Sequence, residues 1–297
     1  MTPPARAETL GVVTPPRRFL IVVGAVLVAS GVFHFGVFLV DGGAWGGPLS
    51  WRKPVTFGIS FGVTALAVAW IAGFLDLRRR AGWLLLGSLG VASALEVAWV
   101  TLQAWRGVPS HFAREGVDEA LFIAAGISIA VVGVALVVVT VLAFRRLVAP
   151  PTMALAIRVG LLLLLVGQGL GGAIIANGTV IDRPPREVDL AVFGSAGAMK
   201  VPHAAALHAV QVLPVLAWLL ARTQLSERRR THVVAIGALG YGALVAASTV
   251  QTFSGRGPLD LSLLGALLAV AGVSVLVASF AVALVTRSEP FPRNVLK

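Results

Sequence analysis

The sequence predicts an all-α polytopic membrane protein of about eight transmembrane helices, arranged as two tandem four-helix halves of the same orientation. Three observations lead there. Of the 297 residues, 57% are hydrophobic and only 12% are charged, with a mean hydropathy of +0.91; a soluble domain carries roughly 25% charged residues. The apolar residues collect in eight runs, each of about 20 residues or more, enough to cross ~30 Å of hydrocarbon at ~1.5 Å per residue. Boundary motifs of the first four runs recur, in order, in the last four.

Residues 1–17 read as a short, polar, proline-rich cytoplasmic segment, with Arg17-Arg18 at the junction to the first apolar run. The run at 19–40 is long enough to span, and no A-x-A-like cleavage site follows it, so it is expected to be a retained first helix and not a removable signal. Pro, Gly and charge clusters mark off the remaining spans, near 54–75, 81–105, 118–144, 152–177, 202–221, 231–253 and 258–285. The two halves are then 18–148 and 149–286, with 287–297 a cytoplasmic tail.

The loops alternate in charge. One set includes the N-terminus, Arg78-Arg79-Arg80, Arg145-Arg146, Arg228-Arg229-Arg230 and the C-terminus, and holds 16 Lys/Arg against four acids; the other set holds eight of each. The positive-inside rule puts the first set, with both termini, in the cytoplasm. The net charge of +11 is thus an orientation signal and asks for no nucleic-acid partner; the partners implied are the lipid bilayer and a homo-oligomer or larger membrane complex. Arginine outnumbers lysine 21 to 3, the bias of a GC-rich bacterial genome, so the expected location is a bacterial inner membrane. Cysteine is absent, which removes disulfides, thiolate metal sites and cysteine nucleophiles.

The repeat is carried by particular residues. Trp51-Arg52-Lys53-Pro54 opens the second span and Met199-Lys200-Val201-Pro202 the sixth. The distance from Pro54 to Trp70 is 16 residues, as is that from Pro202 to Trp218, and an Arg triplet follows each. The third span ends Thr101-Leu102-Gln103-Ala104-Trp105-Arg106-Gly107, the seventh Thr249-Val250-Gln251-Thr252-Phe253-Ser254-Gly255. Four spans per half is an even number, so the copies run the same way across the membrane. The shared residues are mostly boundary devices, whereas the intramembrane polar residues differ, which points to one asymmetric site.

Ionisable groups inside a span are functional candidates, because a charge at mid-bilayer costs roughly 3 kcal/mol or more. Glu96 is the clearest, with Gln103 seven residues on and on nearly the same helical face. His208 and Gln211 form an i, i+3 pair on the sixth span, near the kink expected at Pro214. His34 lies at a similar depth on the first span, and Gln168 sits among the glycines Gly167, Gly169, Gly171 and Gly172. At the outer mouths, Lys53, Lys200, His203 and His111 are candidates to hold an anion or lipid headgroup beside helix N-termini. Nearly all of this polarity falls in the outer half of the membrane.

These residues support a polar, outward-facing site that binds a prosthetic group or metal ion, with haem b in a redox role as one form. His34, His208, Gln211, Gln168 and Gln103 would hold it. One alternative is a small-solute or ion transporter in which Glu96 titrates. Another is a membrane enzyme or assembly factor with Glu96 and His208 as acid, base or metal ligand. No H-E-x-x-H or G-x-S-x-G signature is present.

Overall fold

In the computed structural model, residues 13–43, 45–180 and 189–286 are described; the expected cytoplasmic segments at either terminus lie largely outside them. Among the described residues, eight helices are long and apolar enough to cross a membrane: α1 Pro15–Asp41, α2 Arg52–Phe74, α3 Arg79–Trp105, α4 Gly116–Arg146, α5 Pro151–Val180, α6 Lys200–Leu220, α7 Glu227–Phe253 and α8 Leu263–Val285. The chain is a multi-pass membrane protein. A short antiparallel hairpin, β1 Val192–Phe193 and β2 Gly197–Ala198, joins α5 to α6.

Most helix ends fall within a few residues of those expected, and the differences have local causes. Pro54 and Pro202 are third in their helices instead of first; this costs nothing, because the first four N–H groups of a helix have no intrahelical partner. The last helix begins five residues later than expected. Ser262 is its N-cap, its Oγ accepting from the Gly265 N–H at 3.1 Å. In α3 the turn Trp83–Gly87 is π-helical.

The two ends of the bundle differ in chemistry, and are named here for Arg78 and Lys53. At the Arg78 face, arginines lie against helix C-termini, where the macrodipole favours cations. Arg17 Nε donates to the Ala69 carbonyl and Arg158 Nε to the Ala143 carbonyl, both at 3.1 Å. Glu227 does the reverse, accepting from the Thr152 N–H at the start of α5 at 2.9 Å. The half of the bundle behind this face is filled by one apolar cluster, including Leu86, Leu136, Ile157, Leu161, Leu213, Leu216 and Leu220.

Helix pairs approach through glycine. A Cβ on Gly62 would stand 2.7 Å from the Gly24 carbonyl oxygen, and one on Gly58 2.8 Å from the Gly31 nitrogen, so α1 and α2 touch backbone to backbone. Gly240 and Gly272 do the same for α7 and α8, and Gly160 and Gly167 bring α5 onto α6. Small residues permit this contact, which supplies much of helix association in lipid. The neighbours repeat: α1 with α2, α2 with α3, and α3 with α4; then α5 with α6, α6 with α7, and α7 with α8. The first four helices meet the last four through α4 with α5 and α2 with α6.

Gly62→Val overpacks the α1–α2 seam, for an expected loss of about 1–3 kcal/mol, read as a lower thermal unfolding midpoint in detergent. Gly36→Val, whose Cβ meets nothing within 4 Å, serves as control and stays within ~0.5 kcal/mol.

Candidate functional site

The structure sorts the expected polar residues into separate groups. On α1, His34 is buried, and its Nδ1–H donates to the Ser30 carbonyl at 2.7 Å. That leaves Nε2 to accept from the Trp105 Nε1–H at 3.1 Å. The indoles of Trp51 and Trp105 lie beside the ring.

His208 belongs to a different group. It interrupts α6 between Lys200–Leu207 and Ala209–Leu220, and Pro214 withholds the N–H that the Val210 carbonyl would otherwise accept. His208 Nδ1 bonds Gln211 Oε1 at 3.3 Å and Nε2 bonds Ser60 Oγ at 3.4 Å. Gln211 Nε2 donates to Thr64 Oγ1 at 3.2 Å. These bonds stitch α6 to α2 between the halves. His203, one turn nearer the Lys53 face, donates from Nδ1 to the Gly167 carbonyl at 2.7 Å. Gly171 makes room for its ring, since a Cβ there would lie 2.8 Å from His203 Cε1.

Gln103 acts as a clasp. Its Nε2 donates to Asp118 at 3.0 Å, and Arg106 bridges both residues, tying the end of α3 to the start of α4. Gln251 does the same for α7 and α8. It accepts from the Ser262 N–H at 3.1 Å and donates to the Gly257 carbonyl at 3.1 Å. Gln168 is half-buried on α5 and makes no side-chain hydrogen bond among the described residues. Glu96 is 3% exposed and its Oε2 has no hydrogen-bond partner among the described residues. It lies one turn below Val100 and two below Ala104 on the same stripe of α3.

Val100 and Ala104 line a cavity of about 290 Å³ that opens at the Lys53 face. Its walls include Pro48, Leu49, Trp51, Trp105 and Val108, with Ser50, Ser110, Asp41 and Lys53 as polar members. Asp41 accepts from the Trp51 indole N–H at 2.6 Å. Lys53 donates to Ser110 Oγ at 3.3 Å and has no carboxylate partner among the described residues. Lys200, by contrast, is paired with Asp189 at 2.6 Å. Burial opposes the Asp189 charge, but the Lys200 bond and charge, the Ala191 N–H and Arg52 together outweigh it and hold the carboxyl below its ordinary value.

Lys53 also borders a second space of about 20 Å³, shared with His111, Phe112 and Asp189. His111 Nδ1 is 2.8 Å from Ser110 Oγ, and its ring packs among Phe57, Phe112 and Phe122. Burial, then the charges of Lys53 and Lys200, push its pKa down to about 3. It is therefore neutral at physiological pH; in the tautomer with the proton on Nε2, Nδ1 accepts from the Ser110 hydroxyl, giving a directed chain from Lys53 to Ser110 to His111. Phe112 holds φ +66, a strained conformation for a bulky residue that costs on the order of 1–3 kcal/mol. Its ring fits against Gly178, where a Cβ would collide with it.

Lys53, His111 and Lys200 are thus brought together at one face, while Glu96 stands below the larger cavity. His34 and His208 are held by different partners on different helices. The sequence reading missed Ser110, Asp189 and the cavity-lining roles of Trp51 and Trp105. Ser110 was adjacent to His111 and readable, whereas Asp189 meets Lys200 across the hairpin, which left no local signal.

The unfolded chain takes up a proton on His111 near its ordinary 6.5, the folded chain only near 3. Stability contributed by the neutral ring is therefore full above pH 6.5 and declines as pH falls toward 3, by up to ~1.4 kcal/mol per unit. Unfolding measured between pH 4 and 7 should show this slope, and His111→Gln should remove it. Compared with known proteins, no family model, no curated protein and no solved structure matches the chain.

Proposed function

We propose that the protein is a membrane-embedded binding protein for a small amphipathic anion, a carboxylate or phosphate on an apolar or aromatic body. The observation that carries this reading is Lys53, a cation without a carboxylate partner among the described residues, on the wall of a cavity otherwise lined mostly by apolar and aromatic side chains. The N-terminus of α2 adds its positive dipole end to the same spot. Ser50 and Ser110 offer hydroxyl donors, and Trp51 and Trp105 offer faces for the ligand body. The volume of about 290 Å³ suits a ligand at the small end of the range for binding pockets.

The wider architecture belongs to the same proposal. Both termini lie in the cytoplasm of a bacterial cell and the cavity faces outward, supported by the excess of Lys/Arg at the Arg78 face. The two halves are a tandem repeat. In support, α3 and α7 end in the same Schellman motif: Val108 N–H bonds the Gln103 carbonyl and Gly107 N–H that of Ala104, just as Arg256 bonds Gln251 and Gly255 bonds Thr252. Gly107 and Gly255 take the required positive φ, +63 and +69.

A haem or metal ion draws less support. Each of His34 and His208 already engages both ring nitrogens with protein groups, and no imidazole lines the larger cavity. The continuous apolar cluster behind the Arg78 face favours capture from one side over an open path through the bundle.

Benzoate and inorganic phosphate are suitable probes by calorimetry on the detergent-solubilised chain. Saturable benzoate binding is expected, weakened at least ~10-fold, about 1.4 kcal/mol, in Lys53→Met and unchanged in Arg145→Gln on the opposite face. Failure of both probes to bind up to about 10 mM, or equal binding by Lys53→Met, counts against the reading. Weaker benzoate binding in phosphatidylglycerol than in phosphatidylcholine nanodiscs would assign the site to a lipid headgroup; equal binding would assign it to a free anion.

A further inference from the structure

We infer that anion capture on Lys53 draws a proton onto His111, with Ser110 reversing its hydrogen bond between the two. This rests on the reading of Lys53 as the anion's partner, and it adds that binding is proton-linked.

The argument is one of charge placement. His111 faces two ammonium groups, Lys53 from α2 and Lys200 from α6. Asp189 neutralises Lys200 through a 2.6 Å ion pair. Arg52 acts on that pair from α2 and is itself turned to the Trp45 carbonyl. On the α4 side Phe122 meets the ring, and Asp118 in the first turn of α4 is taken by Arg106 and Gln103. Arg114 and Glu115, on the ring's own loop, are exposed. Asp189 also acts on Lys53, but its ion pair is with Lys200; Lys53 is the ammonium beside His111 that has no ion pair among the described residues, and an anion on Lys53 cancels its charge.

The hydrogen-bond chain can carry the change. Without an anion, Lys53 donates to Ser110 Oγ, whose hydroxyl donates to the lone pair of His111 Nδ1. With an anion held by Lys53, Ser110 turns its hydroxyl to the anion and its Oγ accepts from a protonated Nδ1. Each link of the chain from Lys53 through Ser110 to Nδ1 then pairs a donor with an acceptor in both states. Ser110 is 7% exposed and lines the cavity beside Lys53, while His111 lines the small space behind it. One proton passes from solvent to Nδ1, and no covalent bond other than N–H is formed. The aromatic collar of Phe57, Phe112 and Phe122 has faces that tolerate an imidazolium as well as an imidazole.

Calorimetry of benzoate binding at pH 6, in buffers of different ionisation enthalpy, counts the protons taken up. Wild type should take up a measurable fraction of a proton per benzoate, and its Kd should rise with pH, by up to ~10-fold per unit between the pKa of His111 in the free protein and that in the complex, levelling off above the latter. His111→Gln should still bind benzoate, with no uptake and a Kd independent of pH between 5.5 and 7.5. Binding by wild type without proton uptake overturns the coupling whether or not the variant folds, and so does uptake retained by His111→Gln. Either result leaves the Lys53 reading standing. Absence of any benzoate binding strikes at that reading first, and the coupling falls with it.

Discussion

Backbone meets backbone where Gly24 and Gly31 of α1 lie against Gly58 and Gly62 of α2, and a methyl group on any of the four would stand within 3.0 Å of a neighbouring main-chain atom. Lipid tails are as apolar as leucine, so burial alone gives helices little reason to associate; close van der Waals contact of this kind does. The seam also fixes α2, and α2 carries Lys53 at its first turn and Ser60 and Thr64 further along. From there the bonds to His208 and Gln211 seat α6, and with it the second half of the chain. The position of the candidate site thus depends on a contact made by residues with no side chains.

The bundle divides its length between two tasks. Behind the Arg78 face it is packed with leucine, valine and alanine, with arginines and Glu227 completing the helix ends. Toward the Lys53 face it holds glutamine clasps, a strained loop at Phe112 and a cavity. Polar groups are tolerated at that depth because nearly all of them have protein partners, and Glu96 Oε2 is a conspicuous exception. Glu96 lies one helical turn below Val100, which lines the cavity.

Much of the fold was legible in the sequence because hydropathy reports directly on the bilayer. Apolar runs gave the spans, and prolines, glycines and arginines gave their ends. The expected start of α8 at Pro258 is five residues early: proline suits the first turn of a helix, yet the Gln251 clasp and the Ser262 cap hold 258–262 as a loop. The hairpin at 192–198 escaped notice since two-residue strands leave no period to read. At the site, burial of Glu96 and Gln103 was foreseeable from their place in apolar helices. Their partners were not: whether Gln103 meets a ligand or Asp118 depends on where α4 begins, and depth along a helix says nothing about which neighbour a histidine faces. His34 and His208 share a depth and yet bond to different helices.

The π-helical turn at Trp83–Gly87 bears on which face of α3 looks into the bundle. From the last arginine of the triplet to the glutamine clasp, α3 takes 23 residues (Arg80 to Gln103) and α7 takes 21 (Arg230 to Gln251). A wide turn takes up one of the two extra residues without breaking the helix, so the residues beyond it keep faces that a residue added to a regular helix would turn by roughly 100°. The stripe that carries Glu96, Val100 and Ala104 therefore owes its side of α3 to a wide turn near the other end of the helix.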